Sequence, residues 1–108
     1  EVTFEEFYDW SARIAEYLRA TGVRPGDRVS GFAENSLDYA ALIIGIVLTG
    51  AIHAPLSFRS SARELRRSLD VLTPTLVFAD EQRTGTAREA LGAGEAGKLR
   101  SLGDIGPL

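Results

Sequence analysis

The sequence predicts an α/β fold: a parallel sheet of three to four strands with covering helices. Two observations carry the prediction. Strand-like stretches at Asp27–Ala33, short and mixed in polarity, and at Ala51–Leu56 and Thr75–Ala79, both largely apolar, alternate with helix-like stretches, and the Gly and Pro residues that stop or turn a chain fall between them. The resulting order of strand, helix, strand, helix, strand is the pattern of a parallel sheet joined by right-handed crossovers.

Each element has a local cause. Thr3 and Glu6 form a capping box. Phe4, Phe7, Ser11, Ile14 and Leu18 then recur at helical spacing, with Trp10 and Tyr17 beside that stripe, and the helix stops near Gly22. Pro25-Gly26 suits the centre of a type II turn. Asn35 is placed to cap the next helix, with Asp38 three residues on. From Tyr39 to Leu48 the helix has almost no polar face, so it is expected to be buried on most sides. Gly45 inside it predicts close packing on a neighbouring backbone, and Gly50 is a left-handed stop. Ala51–Leu56 is expected as a buried strand. Ser60 or Ser61 caps the next helix, with Ser61 and Glu64 forming a second capping box; Ala62, Leu65, Leu69 and Leu72 line that helix, and Pro74 ends it. Thr84–Leu91 is expected as a helix and Lys98–Leu102 as a fourth strand.

A chain of 108 residues with 44% hydrophobic and 25% charged content is ordinary for one globular domain or subdomain. The net charge of −3 gives no reason to expect nucleic acid or an anionic membrane as partner. Without Cys there is no disulfide and no thiolate chemistry. No membrane span or signal peptide is visible, so a cytoplasmic protein is the expectation. The chain also lacks Met, which suggests a piece of something longer.

Ligands of open α/β sheets bind outside the carboxyl ends of the strands. Three such ends are Glu34-Asn35, Ser57-Phe58-Arg59 and Asp80-Glu81-Gln82-Arg83. Arg59 and Arg83 stand out, since a guanidinium forks onto phosphate or carboxylate; the alternative is two surface arginines in an arginine-rich chain. His53 is the only histidine. Lying among apolar neighbours, it reads as a hydrogen-bonded core residue. Arg63, Arg66 and Arg67 read as a solvated helix face, with Arg66 paired to Asp70. Gly92-Ala93-Gly94-Glu95-Ala96-Gly97 fits G-x-G-x-x-G, but a helix precedes it where a dinucleotide site needs a strand, so a flexible loop is expected.

Several phrases together resemble a known family. They are Thr3-Phe4-Glu5-Glu6-Phe7, Gly22-Val23-Arg24-Pro25-Gly26-Asp27-Arg28-Val29, Asn35-Ser36 with Asp38-Tyr39, Gly50-Ala51-Ile52-His53-Ala54-Pro55-Leu56, and Thr75-Leu76-Val77-Phe78-Ala79-Asp80. In order and spacing this stretch is similar to the beginning of the AMP-forming adenylate enzymes: acyl-CoA synthetases, nonribosomal adenylation domains and luciferases.

The resemblance implies that residues 1–108 are an N-terminal subdomain fragment of a larger adenylate-forming ligase, with residues 84–108 a poorly defined Gly-rich end. It implies a parent that activates a carboxylic acid with ATP and Mg²⁺ as an acyl-adenylate and passes the acyl group to CoA or a carrier thiol. The family's ATP loop, aromatic-Thr-Glu motif, ribose-binding Asp and catalytic Lys are not in this sequence, and Lys98 matches none of them. The fragment alone is therefore expected to be inactive, to hold no cofactor tightly, and to contribute no catalytic residue and no metal ligand. In some CoA-using members the loop matching Ser57, Phe58 and Arg59, and an arginine soon after the third strand, approach CoA; Arg83 is the nearest match. Many members have Asn-Pro-Arg where this chain has Ser57-Phe58-Arg59. The implied partners are the remainder of the parent ligase and its substrates, and a fragment with an uncovered sheet is expected to self-associate. The other reading is a stand-alone α/β binding or assembly module without catalysis.

Overall fold

Thr3 sets the start of the first helix. In the computed structural model, which describes residues 1–107, the Glu6 amide donates to the Thr3 hydroxyl at 3.0 Å. The Thr3 amide donates back to the Glu6 carboxylate at 2.9 Å. Two donors that a helix start leaves unpaired are thereby satisfied. Helix α1 is Phe4–Ala20, strand β1 Arg28–Phe32, α2 Leu37–Leu48, β2 Ile52–His53, α3 Ala62–Leu72, β3 Leu76–Ala79, α4 Thr84–Glu95 and β4 Leu99–Ser101. The strands make one parallel sheet in the order β2-β1-β3-β4. This is the α/β fold with a parallel sheet that the sequence predicts. Among the described residues no helix is long and apolar enough to cross a membrane.

Side-chain alternation along the central strands divides the core into two layers. β1 and β3 pair with Val29 opposite Leu76, Ser30 opposite Val77, Gly31 opposite Phe78 and Phe32 opposite Ala79. Val29, Leu76 and Phe78 pack with Ile14, Leu18, Leu42 and Ile46 of α1 and α2. Phe32, Val77 and Ala79 pack with Leu65 and Leu69 of α3 and Ala87 and Leu91 of α4. A parallel sheet covered by helices on both faces is the stable solution for strands this apolar.

The turns follow their chemistry. The Asp27 amide donates to the Arg24 carbonyl at 3.0 Å across Pro25-Gly26, and Gly26 takes φ +88°, as position three of a type II turn requires. Gly45 brings α1 and α2 together: a Cβ there would stand 2.6 Å from Ile14 Cγ2 and 3.1 Å from the Ser11 carbonyl oxygen. Helix α4 is regular to Leu91 and is broken at Gly92, whose φ is +72°. The G-x-G-x-x-G stretch therefore lies on a helix end and the following turn, away from any strand-to-helix junction.

Four expectations are corrected. Ser36, one residue after Asn35, caps α2: its hydroxyl accepts from the Tyr39 amide at 3.1 Å, because the helix begins at Leu37 and the capping geometry needs that offset. Helix α2 is not buried all round, since α1 and the sheet cover only one side and leave Leu37, Ile44 and Val47 exposed. On α1, Phe4 is 83% exposed while Trp10 enters the core. Trp10 has a use there for its polar edge, as Nε1 donates to the Ile105 carbonyl at 2.6 Å. The stretch Ala51–Leu56 yields only a two-residue strand at the sheet edge, with Ile52 exposed. Its backbone still tracks β1, since Ala54 and Leu56 donate to Val29 and Gly31, but Pro55 has no N–H to offer.

Candidate functional site

Because β2, β1 and β3 are parallel neighbours, their carboxyl ends lie side by side. The connection from β1 runs to β2 on one side, and the next crosses back to β3 on the other. That divergence is the switch point at which open α/β sheets leave a crevice.

Asp80, just past β3, organises this edge. One carboxylate oxygen accepts from the Arg83 amide at 3.0 Å and caps the short turn Glu81–Arg83. The other accepts from the Glu34 amide, just past β1, at 3.1 Å. The turn sends the Arg83 side chain back across all three strand ends. Its Nε donates to the Phe58 carbonyl at 2.8 Å, Nη1 to the Asp80 carboxylate at 2.8 Å and Nη2 to the Glu34 carboxylate at 3.2 Å. Three of the five guanidinium N–H groups are thus taken up within the chain, and the side chain is only 17% exposed.

Arg59 is placed differently. It is exposed, and among the described residues its guanidinium makes no hydrogen bond or ion pair; its nearest organised neighbour is the Phe58 ring, whose centre lies 5.3 Å away. Arg83 stands 5.0 Å from the same ring centre. Ser57 is exposed, and its carbonyl accepts from the Ser60 amide at 3.1 Å, so Ser57–Ser60 is a tight turn. The structure therefore brings together all four residues singled out from the sequence, Ser57, Phe58, Arg59 and Arg83. Glu34 and Asp80 join them, although the sequence marks them only as members of two strand ends. Their signal was opposite charge to Arg83 at the ends of two strands that turn out to be neighbours. Beside this cluster an open cleft of about 640 Å³ is bordered by Ser36, Asp38, Glu81, Thr84 and Ser101. Among the described residues no three His, Asp or Glu side chains are grouped as metal ligands are.

Two other polar groups fall outside this edge. His53 Nε2 lies 2.8 Å from the Tyr39 hydroxyl, and burial pushes the imidazole below its usual pKa. His53 is hydrogen-bonded as expected, though on an edge strand and half-buried. Arg66 pairs with Asp70 at 2.7 Å, as its spacing predicts, and also reaches Glu95 at 2.7 Å and the Ala90 carbonyl at 3.0 Å. It joins α3 to α4, so this member of the arginine cluster is not on a purely solvated face. Hydrogen bonds from Lys98 and then Arg66 hold the Glu95 carboxyl below its usual range.

Comparison with known proteins places the chain in a family. Feruloyl-CoA synthase of an Amycolatopsis species is 36% identical over 112 aligned residues, covering 98% of this chain and 22% of that protein. The fatty acid–[acyl-carrier-protein] ligase ScoC of Streptomyces coeruleorubidus is 29% identical, covering 95% of this chain and 20% of the ligase. The crystal structure of apo MatB from Rhodopseudomonas palustris superposes with a TM-score of 0.82 at 26% identity, covering 96% of this chain and 22% of MatB. The chain spans only 8–22% of the length of the curated relatives it matches. The family described as AMP-binding enzyme matches residues 1–107, and the chain belongs to that family.

Proposed function

We propose that residues 1–108 are the N-terminal part of an AMP-forming acid–thiol ligase, acting in the cytoplasm. The whole protein activates a carboxylic acid with ATP and Mg²⁺ as an acyl-adenylate and transfers the acyl group to CoA or a carrier thiol. The observation that carries this reading is the continuous family match over residues 1–107 in a chain that spans about a fifth of its ligase relatives.

The loop Ser57–Arg59 is the CoA side of the site. An exposed guanidinium beside an aromatic ring suits the phosphates of a nucleotide: the phosphate pairs with the arginine, and the ring holds the arginine in place. Arg59 and Phe58 supply that combination. The described residues do not fit ATP and Mg²⁺ in the same way. No group of three or more His, Asp or Glu side chains placed to hold a metal ion is present among them, and the lone lysine, Lys98, is engaged with Glu95 at 2.9 Å. The groups that stabilise charge on the α-phosphate belong to the rest of the ligase, so the 108-residue chain has no adenylation activity of its own.

Carboxylate-dependent exchange of pyrophosphate into ATP tests this. The full-length protein is expected to catalyse exchange with its acid, and the 108-residue chain to remain at background. Exchange by the short chain that survives repurification overturns the division of labour, and its absence from the full-length protein across a panel of acids overturns the ligase reading.

A further inference from the structure

We infer that Arg83 is a positioning residue: it clamps the ends of β1, β2 and β3 together so that the Phe58–Arg59 loop presents a fixed ligand-facing surface. The inference rests on the reading of this edge as the CoA side, and it assigns different jobs to its two arginines.

The geometry separates those jobs. Arg83 donates to three elements at once, to Phe58 after β2, Glu34 after β1 and Asp80 after β3. Asp80 closes the ring by accepting from the Glu34 amide. Each bond in this ring joins a charged group to its partner, the strong class of hydrogen bond. β2 is only two residues long and lies at the sheet edge, paired to β1 alone. The loop after it closes on itself through the Ser60-to-Ser57 turn bond and joins β1 through Leu56, which donates to Gly31, while Ser57 and Arg59 are exposed. A bond from Arg83 Nε to the Phe58 carbonyl, with the guanidinium over the Phe58 ring at 5.0 Å, fixes both the backbone and the side chain of the residue on which Arg59 rests. A guanidinium so engaged and so little exposed is poorly placed to grip a ligand itself. Arg59, exposed and without a polar partner among the described residues, is well placed.

The experiment uses the full-length ligase, with Arg83→Gln, Arg59→Gln and the double variant. Three quantities are read: the KM for CoA, pyrophosphate exchange, and amide hydrogen exchange across Ser57–Ser60. Arg83→Gln is expected to speed amide exchange in that loop about tenfold and to raise KM for CoA about tenfold, while pyrophosphate exchange stays within about twofold, one decade corresponding to about 1.4 kcal/mol. Arg59→Gln is expected to raise KM for CoA and leave loop exchange unchanged. In the Arg59→Gln background, Arg83→Gln is expected to add little further to KM, because both changes act through one side chain. Additive effects on KM mean that Arg83 touches the ligand directly and overturn the inference. So does a loop whose amide exchange is the same in the Arg83→Gln variant as in the wild type. If the wild-type protein shows neither pyrophosphate exchange nor CoA dependence, the ligase reading fails, while the amide-exchange arm still decides whether Arg83 clamps the loop. Arg83→Lys, which keeps the charge and loses the fork, is expected to recover only part of the loop protection.

Discussion

The Tyr39–His53 pair couples the stability of the edge strand to pH. The 2.8 Å contact between the Tyr39 hydroxyl and His53 Nε2 suits a hydroxyl donating to an unprotonated ring nitrogen, and Gly31 offers a second, longer acceptor at 3.4 Å. Protonation would put a charge in a half-buried position, and burial lowers the imidazole pKa from its usual 6.5. The sign follows from linkage: between the lowered folded value and 6.5 the unfolded chain binds more protons, so stability rises with pH in that window and falls on acidification. Urea midpoints taken from about pH 7 down to about pH 5, the range in which an imidazole titrates, are expected to decline, and to decline less in His53→Gln. This window lies above the usual 4.5 of Glu64 and Glu95, whose lowered values act only at more acid pH. Equal slopes in the two proteins would remove His53 as the cause. That His53 is hydrogen-bonded was readable from its apolar neighbours. That Tyr39 is its partner was not, because the contact depends on Val29 facing His53 across the β1–β2 pairing. Arg83 is the same case on a larger scale. Its place after a strand was visible, but its three acceptors come from three strand ends whose order is a tertiary fact.

At the scale of elements, the α1–α2 contact is where one residue decides a packing distance. Alanine favours a helix over glycine by about 1 kcal/mol, so Gly45→Ala would stabilise an isolated α2. Here the added carbon would lie 2.6 Å and 2.9 Å from two carbons of the buried Ile14 side chain and 3.1 Å from backbone. Overpacking of a filled core costs about 1–3 kcal/mol, and this exceeds the propensity gain. Gly45→Ala is expected to lower the urea midpoint, and Ile14→Val to recover little, since the contact at 2.9 Å is to the β-carbon that valine retains. A stabilised Gly45→Ala variant would mean that the two helices separate without cost. The sequence announced this contact because an interior glycine in an apolar helix needs a reason. The capping boxes at Thr3 and Ser61 were equally readable, being closed within four residues. The reduction of Ala51–Leu56 to an edge strand was not, because an apolar run looks the same at the centre of a sheet as at its border.

At the scale of the molecule, the helix that looked most buried in the sequence carries the largest exposed stripe. Leu37, Ile44 and Val47 of α2 are 50%, 38% and 60% exposed, and β2 leaves one edge of its backbone unpaired among the described residues. Scattered apolar exposure is normal, but these three side chains share one helix face, and an open strand edge lies in the same sheet. The exposed fractions amount to about one and a half whole side chains per copy, or about three in a symmetric pair. Burying them would yield roughly 5–9 kcal/mol at 1.5–3 kcal/mol each. Association itself costs about 4–15 kcal/mol in lost freedom. The two ranges overlap, so the 108-residue chain is expected to self-associate weakly, as a monomer when dilute and as larger species when concentrated. Sedimentation velocity over a hundredfold concentration range should show a rising weight-average coefficient. Val47→Lys, which puts a charge in the most exposed position of the stripe, should flatten that rise with little loss of stability, since the side chain it replaces packs on little. A coefficient that does not change with concentration would show that α2 is sufficiently covered by α1 and the sheet alone. A rise that persists unchanged in Val47→Lys would move the association from α2 to the open edge of β2, where pairing is through backbone and a side-chain change on the helix has no purchase.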